Sequence, residues 1–164
     1  MKYEYCPNCG SSTLVKHDAT YYSCTTCGQD LYNNPRATVA VVFLKGNEAL
    51  FSKRGIEPNK GKYDFPGGFI EYAEDPYQAC IREIAEETGV NIQRKDMTLL
   101  TAYGAEYIPN VSVIDLIFVT TRWQGDFVPA DDSAKLEWKP LSFIESNDFV
   151  PPYLGLATML RNFT

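Results

Sequence analysis

Apolar positions cluster along this chain in patterns that assign most of its elements. Ala37-Thr-Val-Ala-Val-Val-Phe-Leu44 is almost unbroken and rich in β-branched residues, which predicts a buried strand. Gly46-Asn47 then reads as a hairpin turn, with Ala49-Leu50-Phe51-Ser52 returning. Lys53 to Lys62 is polar, contains Pro58 and two glycines, and reads as a loop. Tyr63 to Tyr72 sets Pro66-Gly67-Gly68 between aromatics and reads as a strand interrupted by a tight turn. Asp75-Pro76 opens a helix, with Asp75 as cap, Pro76 in the first position and Gln78 completing a capping box. Ala79, Cys80, Ile84 and Ala85 give that helix its apolar side, and Gly89 ends it. Further strands fall at Leu99 to Ala105, Ser112 to Thr121 and Leu136 to Leu141. Leu156, Met159, Leu160 and Phe163 at helical spacing predict a final amphipathic helix. A chain of 164 residues suits one α/β domain with room for a small appendage.

The residues before the first apolar run follow other rules. Cys6-Pro7-Asn8-Cys9-Gly10 and Cys24-Thr25-Thr26-Cys27-Gly28 are near-copies of one knuckle, with 14 residues between Cys9 and Cys24. No basic-then-apolar leader opens the chain, so a reducing, cytoplasmic setting is expected, where paired cysteines read as metal ligands before disulfides. Four thiolates suit a closed tetrahedral Zn²⁺ site, and neither pair precedes the long helix that a redox motif needs. The polar turn at Tyr32-Asn33-Asn34-Pro35 then separates a small zinc ribbon, residues 1–33, from a larger domain, residues 34–164. His17 reads as a surface residue and Cys80 as a core one.

Charge narrows the partners. The formal net charge is -6, and Lys2 and Lys16 of the cysteine segment stand among Glu4, Asp18 and Asp30. No basic stripe is present, which argues against nucleic acid, and no apolar run approaches a membrane span. A phosphate-rich small molecule is still compatible, provided carboxylates hold divalent cations. Glu83, Glu86 and Glu87 stand at i, i+3 and i+4 of the predicted helix and share one face. Hard ions such as Mg²⁺ or Mn²⁺ take ligands of this kind. Taken alone, that spacing is more often a solvated acidic face. The paired glycines upstream change the odds, because they let backbone approach a metal or phosphate.

From Gly68 the pattern runs through five residues to Glu74, and through seven more to Arg82-Glu83-Ile84-Ala85-Glu86-Glu87-Thr88-Gly89-Val90. This segment resembles the Nudix box at every fixed position. The resemblance implies an α/β/α sandwich with a mixed sheet, and hydrolysis of a nucleoside diphosphate linked to another moiety. It implies that Glu83, Glu86 and Glu87 bind the catalytic Mg²⁺ or Mn²⁺, with the main-chain carbonyl of Gly67 joining them, and that Glu74 and Arg82 support them. The general base is then Glu86 or Glu87 on the helix, or lies downstream at Asp131, Asp132 or Glu137, ahead of Trp138.

The ribbon followed by Asn34-Pro35-Arg36 and the box resembles the NADH pyrophosphatase group. However, Leu99-Leu100-Thr101-Ala102-Tyr103-Gly104-Ala105 stands where NADH-specific members carry a Ser-Gln-Pro-Trp-Pro-Phe-Pro-like array. FAD and ADP-ribose therefore stand beside NADH as expected substrates. Arg54, Lys60 and Lys62 are candidates to meet substrate phosphates, and Tyr63, Phe65, Phe69, Tyr103 and Tyr107 are candidates to stack on a base. The alternatives are a nucleotide sensor that does not hydrolyse, a nucleoside triphosphate pyrophosphohydrolase and an RNA-processing enzyme. A homodimer is left open.

Overall fold

The computed structural model describes residues 3–131, 133–150 and 153–163. The chain divides into two units, Met1–Arg36 with Glu106–Val113, and Ala37–Ala105 with Ile114–Thr164. No helix among the described residues is long and apolar enough to cross a membrane.

The first unit contains three short antiparallel strands, β1 (Leu14–Lys16), β2 (Tyr21–Cys24) and β3 (Asp30–Tyr32), in the order β1-β2-β3. Period-two alternation turns Tyr22 and Cys24 of β2 and Leu31 of β3 inward. On the other side His17 stacks on Tyr21 at 4.5 Å and Tyr21 on Tyr32 at 5.1 Å. His17 is exposed, as its sequence context predicts. These strands have no counterpart in the sequence reading, because three or four residues are too few to show a period.

The second unit is organised by β4 (Arg36–Lys45), the predicted apolar run. Both of its faces are buried. Ala40, Val42 and Leu44 enter one core with Ile117, Leu156 and Leu160, while Val39, Val41 and Phe43 enter another with Ala79, Cys80 and Ile84. The first core lies under the C-terminal helix and the second under the acidic helix, so a layer of helix covers each face of the sheet.

Gly46, at φ 59°, and Asn47 turn the chain into β5 (Glu48–Arg54). The strands β4 and β5 stay paired only at Leu44–Ala49 and Lys45–Glu48. They then splay, and the next segment wedges into the fork. Here β6 (Tyr63–Asp64) pairs with β5, and β7 (Gly67–Phe69) pairs with β4. Pro66 lies at the crossing between them, and its carbonyl accepts the Val41 N–H at 2.9 Å. The interrupted strand of the sequence reading is thus two strands on two different partners.

Helix α1 (Pro76–Thr88) follows. Asp75 caps it by accepting the Tyr77 N–H at 2.9 Å, and Gly89 closes it at φ 72°. Two details differ from expectation. Among the described residues Gln78 makes no capping hydrogen bond, and Arg94 reaches the cap carboxylate instead, at 2.8 Å. Ala85 is exposed and Thr88 is buried in its stead, returning its hydroxyl to the Ile84 carbonyl at 2.6 Å. A three-residue 3-10 turn, Arg94–Asp96, leads into the long hairpin β8 (Thr98–Ile108) and β9 (Val111–Thr120), and β10 (Ser133–Pro140) completes the order β10-β5-β4-β9-β8. The isolated bridge Tyr63–Phe149 is parallel, unlike the hairpin pairings.

A second 3-10 helix, Leu141–Glu145, precedes α2 (Leu156–Arg161). Leu156, Ala157 and Leu160 face the core, whereas Met159 and Phe163, expected there, are 41% and 37% exposed. Six residues make too short a helix to turn four large apolar groups inward.

The segment before α2 is fastened by an interaction no local pattern announces. Asp115 of β9 is 7% exposed and accepts hydrogen bonds from Thr38 Oγ1 at 2.9 Å and from the Tyr153 hydroxyl. Burial raises its pKa above the usual carboxylate value. Tyr153→Phe should lower unfolding stability at neutral pH by about 1–3 kcal/mol, since an ionised buried oxygen loses its donor. A raised folded pKa means that ionised Asp115 costs stability at neutral pH, and that this cost fades as pH falls through the folded value. The Tyr153→Phe deficit should therefore shrink toward acid pH. Urea unfolding at several pH values checks this, and an unchanged midpoint at pH 7 would contradict it.

Candidate active site

The wedge that separates β6 and β7 brings Gly67-Gly68 against the first residue of the acidic triplet. A Cβ on Gly67, which has φ 149°, would sit 2.1 Å from the Val39 carbonyl oxygen, so only glycine fits. A Cβ on Gly68 would fall 2.5–2.7 Å from the Glu83 carboxylate, which therefore lies directly over that glycine. The Gly67 N–H donates to Glu87 Oε2 at 3.0 Å. Opposite the acidic side, Ala79, Cys80, Ile84 and Thr88 are buried, which fixes the rotation of α1 about its axis.

Arg82 ties the pieces together. Its Nε and Nη2 clasp Glu74 at 2.9 and 2.8 Å, its Nη1 donates to Glu83 at 2.8 Å and Glu86 at 3.3 Å, and its Nη2 also reaches the Phe69 carbonyl at 3.0 Å. A planar guanidinium is suited to several acceptors in one plane. These hydrogen bonds hold Glu74 below its usual carboxylate pKa and raise Arg82 above its own. Glu83 moves upward, because burial outweighs the help from Arg82.

The triplet offers carboxylate oxygens, the donor set that Mg²⁺ or Mn²⁺ prefers, beside a backbone stripped of side chains. The three carboxylates share a face but are drawn to different partners, Glu87 to Gly67 and the other two to Arg82. Among the described residues only the four cysteines bring three or more such donor atoms within 4.8 Å of one another. A cation entering the acidic site would compete with Arg82 for Glu86, its longest contact.

Other expected site residues are placed variously. Arg54, the last residue of β5, is fastened across the loop that follows it, donating from Nε to the Pro58 carbonyl at 2.7 Å and pairing with Asp64 at 3.3 Å, while Lys60 and Lys62 are exposed. Asp131 is exposed at φ 51°, and Asp132 lies outside the described residues. Glu137 is saturated with donors: Lys135 Nζ at 2.8 Å, the Tyr63 hydroxyl, and Lys139 at 3.6 Å. Lys135 first, then Tyr63, pull its pKa down to about 2. Of the candidate stacking rings, Phe65 is buried core, Tyr63 is half-buried against Glu137, and Phe69 is 37% exposed. Asp64 went unnoticed in the sequence. It is a mostly buried carboxylate whose pKa is pushed up by burial and then by the field of Asp115, with a smaller contribution from Glu87. A lone acid inside an aromatic segment was the available signal.

In the first unit, Cys6 and Cys27 Sγ are 3.7 Å apart, as are Cys9 and Cys24 Sγ. Tetrahedral bonds of about 2.3 Å to zinc give sulfur–sulfur edges of about 3.8 Å. Both knuckles close identically, with the Gly10 and Gly28 amides returning to the Cys6 and Cys24 carbonyls at 2.8 Å and both glycines at φ 73°. The cluster fits zinc. Cys80 is fully buried against the core, as expected.

Residues 34–156 match the family model described as NUDIX domain. The chain belongs to the Nudix family. It is 34% identical over 113 residues to an ADP-ribose pyrophosphatase of Methanocaldococcus jannaschii, covering 68% of this chain and 66% of that protein. It is 27% identical over 159 residues to the NAD-capped RNA hydrolase NudC of Pseudomonas aeruginosa, covering 96% of this chain and 53% of that one. This Nudix chain thus spans about half to two thirds of the length of these relatives. The crystal structure of a NUDIX hydrolase from Nitrosomonas europaea superposes with a TM-score of 0.68 at 24% identity, covering 97% of this chain and 89% of that one. The fold is the Nudix α/β fold with a mixed sheet, preceded by a small antiparallel sheet that carries the four clustered cysteines.

Gly68→Ala tests the close approach. The backbone of Gly68 is not in the left-handed region, and the three atoms nearest an added methyl all belong to the Glu83 carboxylate, the far end of a flexible side chain. Stability should change by about 1 kcal/mol or less. Mn²⁺ affinity, followed by calorimetric titration, should fall about tenfold or more as Glu83 is displaced. Unchanged affinity would show that Glu83 does not hold the cation.

Proposed function

We propose that this Nudix chain is a divalent-metal-dependent pyrophosphohydrolase that cleaves the internal diphosphate of a dinucleotide or nucleotide sugar, such as FAD, ADP-ribose or NADH. The observation that carries the reading is the Glu83 carboxylate lying over Gly68 while Glu87 is held by the Gly67 amide. Carboxylates and bare backbone there converge from two elements on one place.

Glu83, Glu86 and Glu87 would hold Mg²⁺ or Mn²⁺, which when bound supplies positive charge against the diphosphate and lowers the pKa of a water. Arg82 keeps the carboxylates oriented and links them to Glu74 and to the Phe69 carbonyl. Glu86 is the carboxylate best placed to accept the proton of the attacking water, being 53% exposed and held by one long contact to Arg82. Glu137 is a poor base, since its donors keep it ionised to about pH 2.

The substrate class rests on the relatives. One is named for ADP-ribose and the other for an NAD cap, and both substrates contain a diphosphate flanked by ribosyl groups. The absent array after the box leaves NADH without a marked preference. In the first unit the four thiols would hold one structural Zn²⁺ with no open position for chemistry.

Glu86→Gln and Glu87→Gln should each lower kcat for FAD or ADP-ribose by about 10²-fold or more. Steady-state assays with Mg²⁺ or Mn²⁺, resolving products, check both the residues and the bond cleaved. Activity that survives both substitutions and chelation would refute the reading. Fast pyrophosphate release from nucleoside triphosphates without dinucleotide cleavage would refute the substrate class.

Elemental analysis of the reduced protein should find about one zinc per chain. Cys24→Ser should lose that zinc and destabilise the first unit while the need for Mg²⁺ or Mn²⁺ persists. Zinc-free wild-type protein with an intact fold would contradict the assignment.

A further inference from the structure

The four-cysteine unit has a feature that neither zinc binding nor hydrolysis uses. An open groove of about 670 Å³ lies wholly within it, walled by Tyr3, Leu14, Lys16, Tyr22, Asn33 and Ser112 among others. That volume is in the range of sites for small organic ligands, roughly 300–1,000 Å³.

The polar groups along the groove stand ready for a ligand. Tyr22 is only 5% exposed, yet its hydroxyl makes no hydrogen bond among the described residues. That hydroxyl is not cut off from solvent, so it is open to a partner in the groove. Tyr3, packed edge-on to Tyr22 at 5.4 Å, provides the contrast, since its own hydroxyl donates to the Tyr32 carbonyl at 3.4 Å. Lys16 forms no ion pair among the described residues, and the side chains of Asn33 and Ser112 form no hydrogen bonds there. An ammonium, two hydroxyls and an amide therefore offer donors beside an aromatic and aliphatic wall. Glu106 also lines the groove, with one carboxylate oxygen taken by the Asn110 N–H at 2.9 Å.

We propose that this groove is a binding site for a nucleoside monophosphate, separate from the box carboxylates. The flat apolar wall of Tyr3 and Leu14 suits a nucleobase. The donors at Tyr22, Asn33 and Ser112 suit ribose and phosphate oxygens. One lysine matches one phosphate rather than a polyphosphate, and the remaining oxygen of Glu106 can accept from a sugar hydroxyl or a base amino group. The site binds and does not cleave, so it stands or falls independently of the hydrolytic reading.

The test uses the whole zinc-loaded chain with adenosine 5′-monophosphate as probe and no added Mg²⁺ or Mn²⁺. Two-dimensional NMR should show saturable shifts at the amides of Lys16, Thr20, Tyr22, Asn33 and Ser112, with a Kd of about 1 mM or below. Tyr22→Phe keeps the ring and removes only the hydroxyl, and Lys16→Gln changes an exposed position. Each should weaken binding about fivefold or more while spectra outside the groove and the rate of dinucleotide hydrolysis stay as in wild type. Adenosine alone and inorganic phosphate alone should each bind more weakly than the monophosphate. Shifts confined to residues 67–89, no saturable shift, or phosphate alone matching the monophosphate would each overturn the proposal.

Discussion

The backbone of Gly67 passes so close to Val39 that a single added carbon would fall 2.1 Å from a carbonyl oxygen. That approach exists because β4 and β5 part after two paired positions and admit the chain between them. The glycine turn is therefore part of the sheet. Its amide, presented from a rigid strand, fixes Glu87, and its neighbour Gly68 supplies the bare surface on which Glu83 rests. Catalytic groups held on regular elements are positioned more tightly than groups on loops. The loop at residues 55–62, shorter than expected because Lys53 and Arg54 belong to β5, can then vary without disturbing the carboxylates, since Arg54 closes it through Pro58 and Asp64.

Electrostatics set the second constraint. Glu83, Glu86 and Glu87 crowd one helix face, and one guanidinium serves two of them together with Glu74. One positive charge among so many negative ones leaves a net attraction for cations, in keeping with a chain of net charge -6 that handles phosphates. Asp64 extends the negative field from Glu87 toward Asp115, which is held by hydroxyl donors from Thr38 and Tyr153. The acids around the glycine turn thus divide between those held by Arg82 and the Gly67 amide and those held by hydroxyls and Arg54. Only the former face bare glycine backbone.

The parts legible in the sequence are those encoded by neighbours in the chain. The β4 run, the Gly46-Asn47 turn, the Asp75 cap, the Gly89 stop and the Glu83–Glu87 spacing each declare themselves within a dozen residues. What escaped depends on partners far away. Nothing in Tyr63 to Phe69 says that its halves pair with different strands, or that Asp115 will meet Tyr153 from 38 residues on. The short strands of the cysteine unit are held by knuckle geometry and stacked rings rather than by an apolar period. Ala85 and Thr88 exchanged roles because a threonine hydroxyl can be buried once it returns to the preceding turn, which makes polarity a poor guide at that position. Glu137 looked like a free acid from its place ahead of Trp138, but its donors come from Tyr63 and from the alternating lysines of its own strand.

The glycine turn and the acidic face of α1 are proposed together to form the divalent cation site. Anomalous diffraction at the manganese edge from crystals soaked in Mn²⁺ tests it most directly. Peaks are expected within coordination distance of Glu83, Glu86 and Glu87 beside Gly67, with Arg82 released from Glu86 and still clasping Glu74. Manganese absent from that face, with Arg82 keeping all of its carboxylate contacts at saturating Mn²⁺, would contradict it.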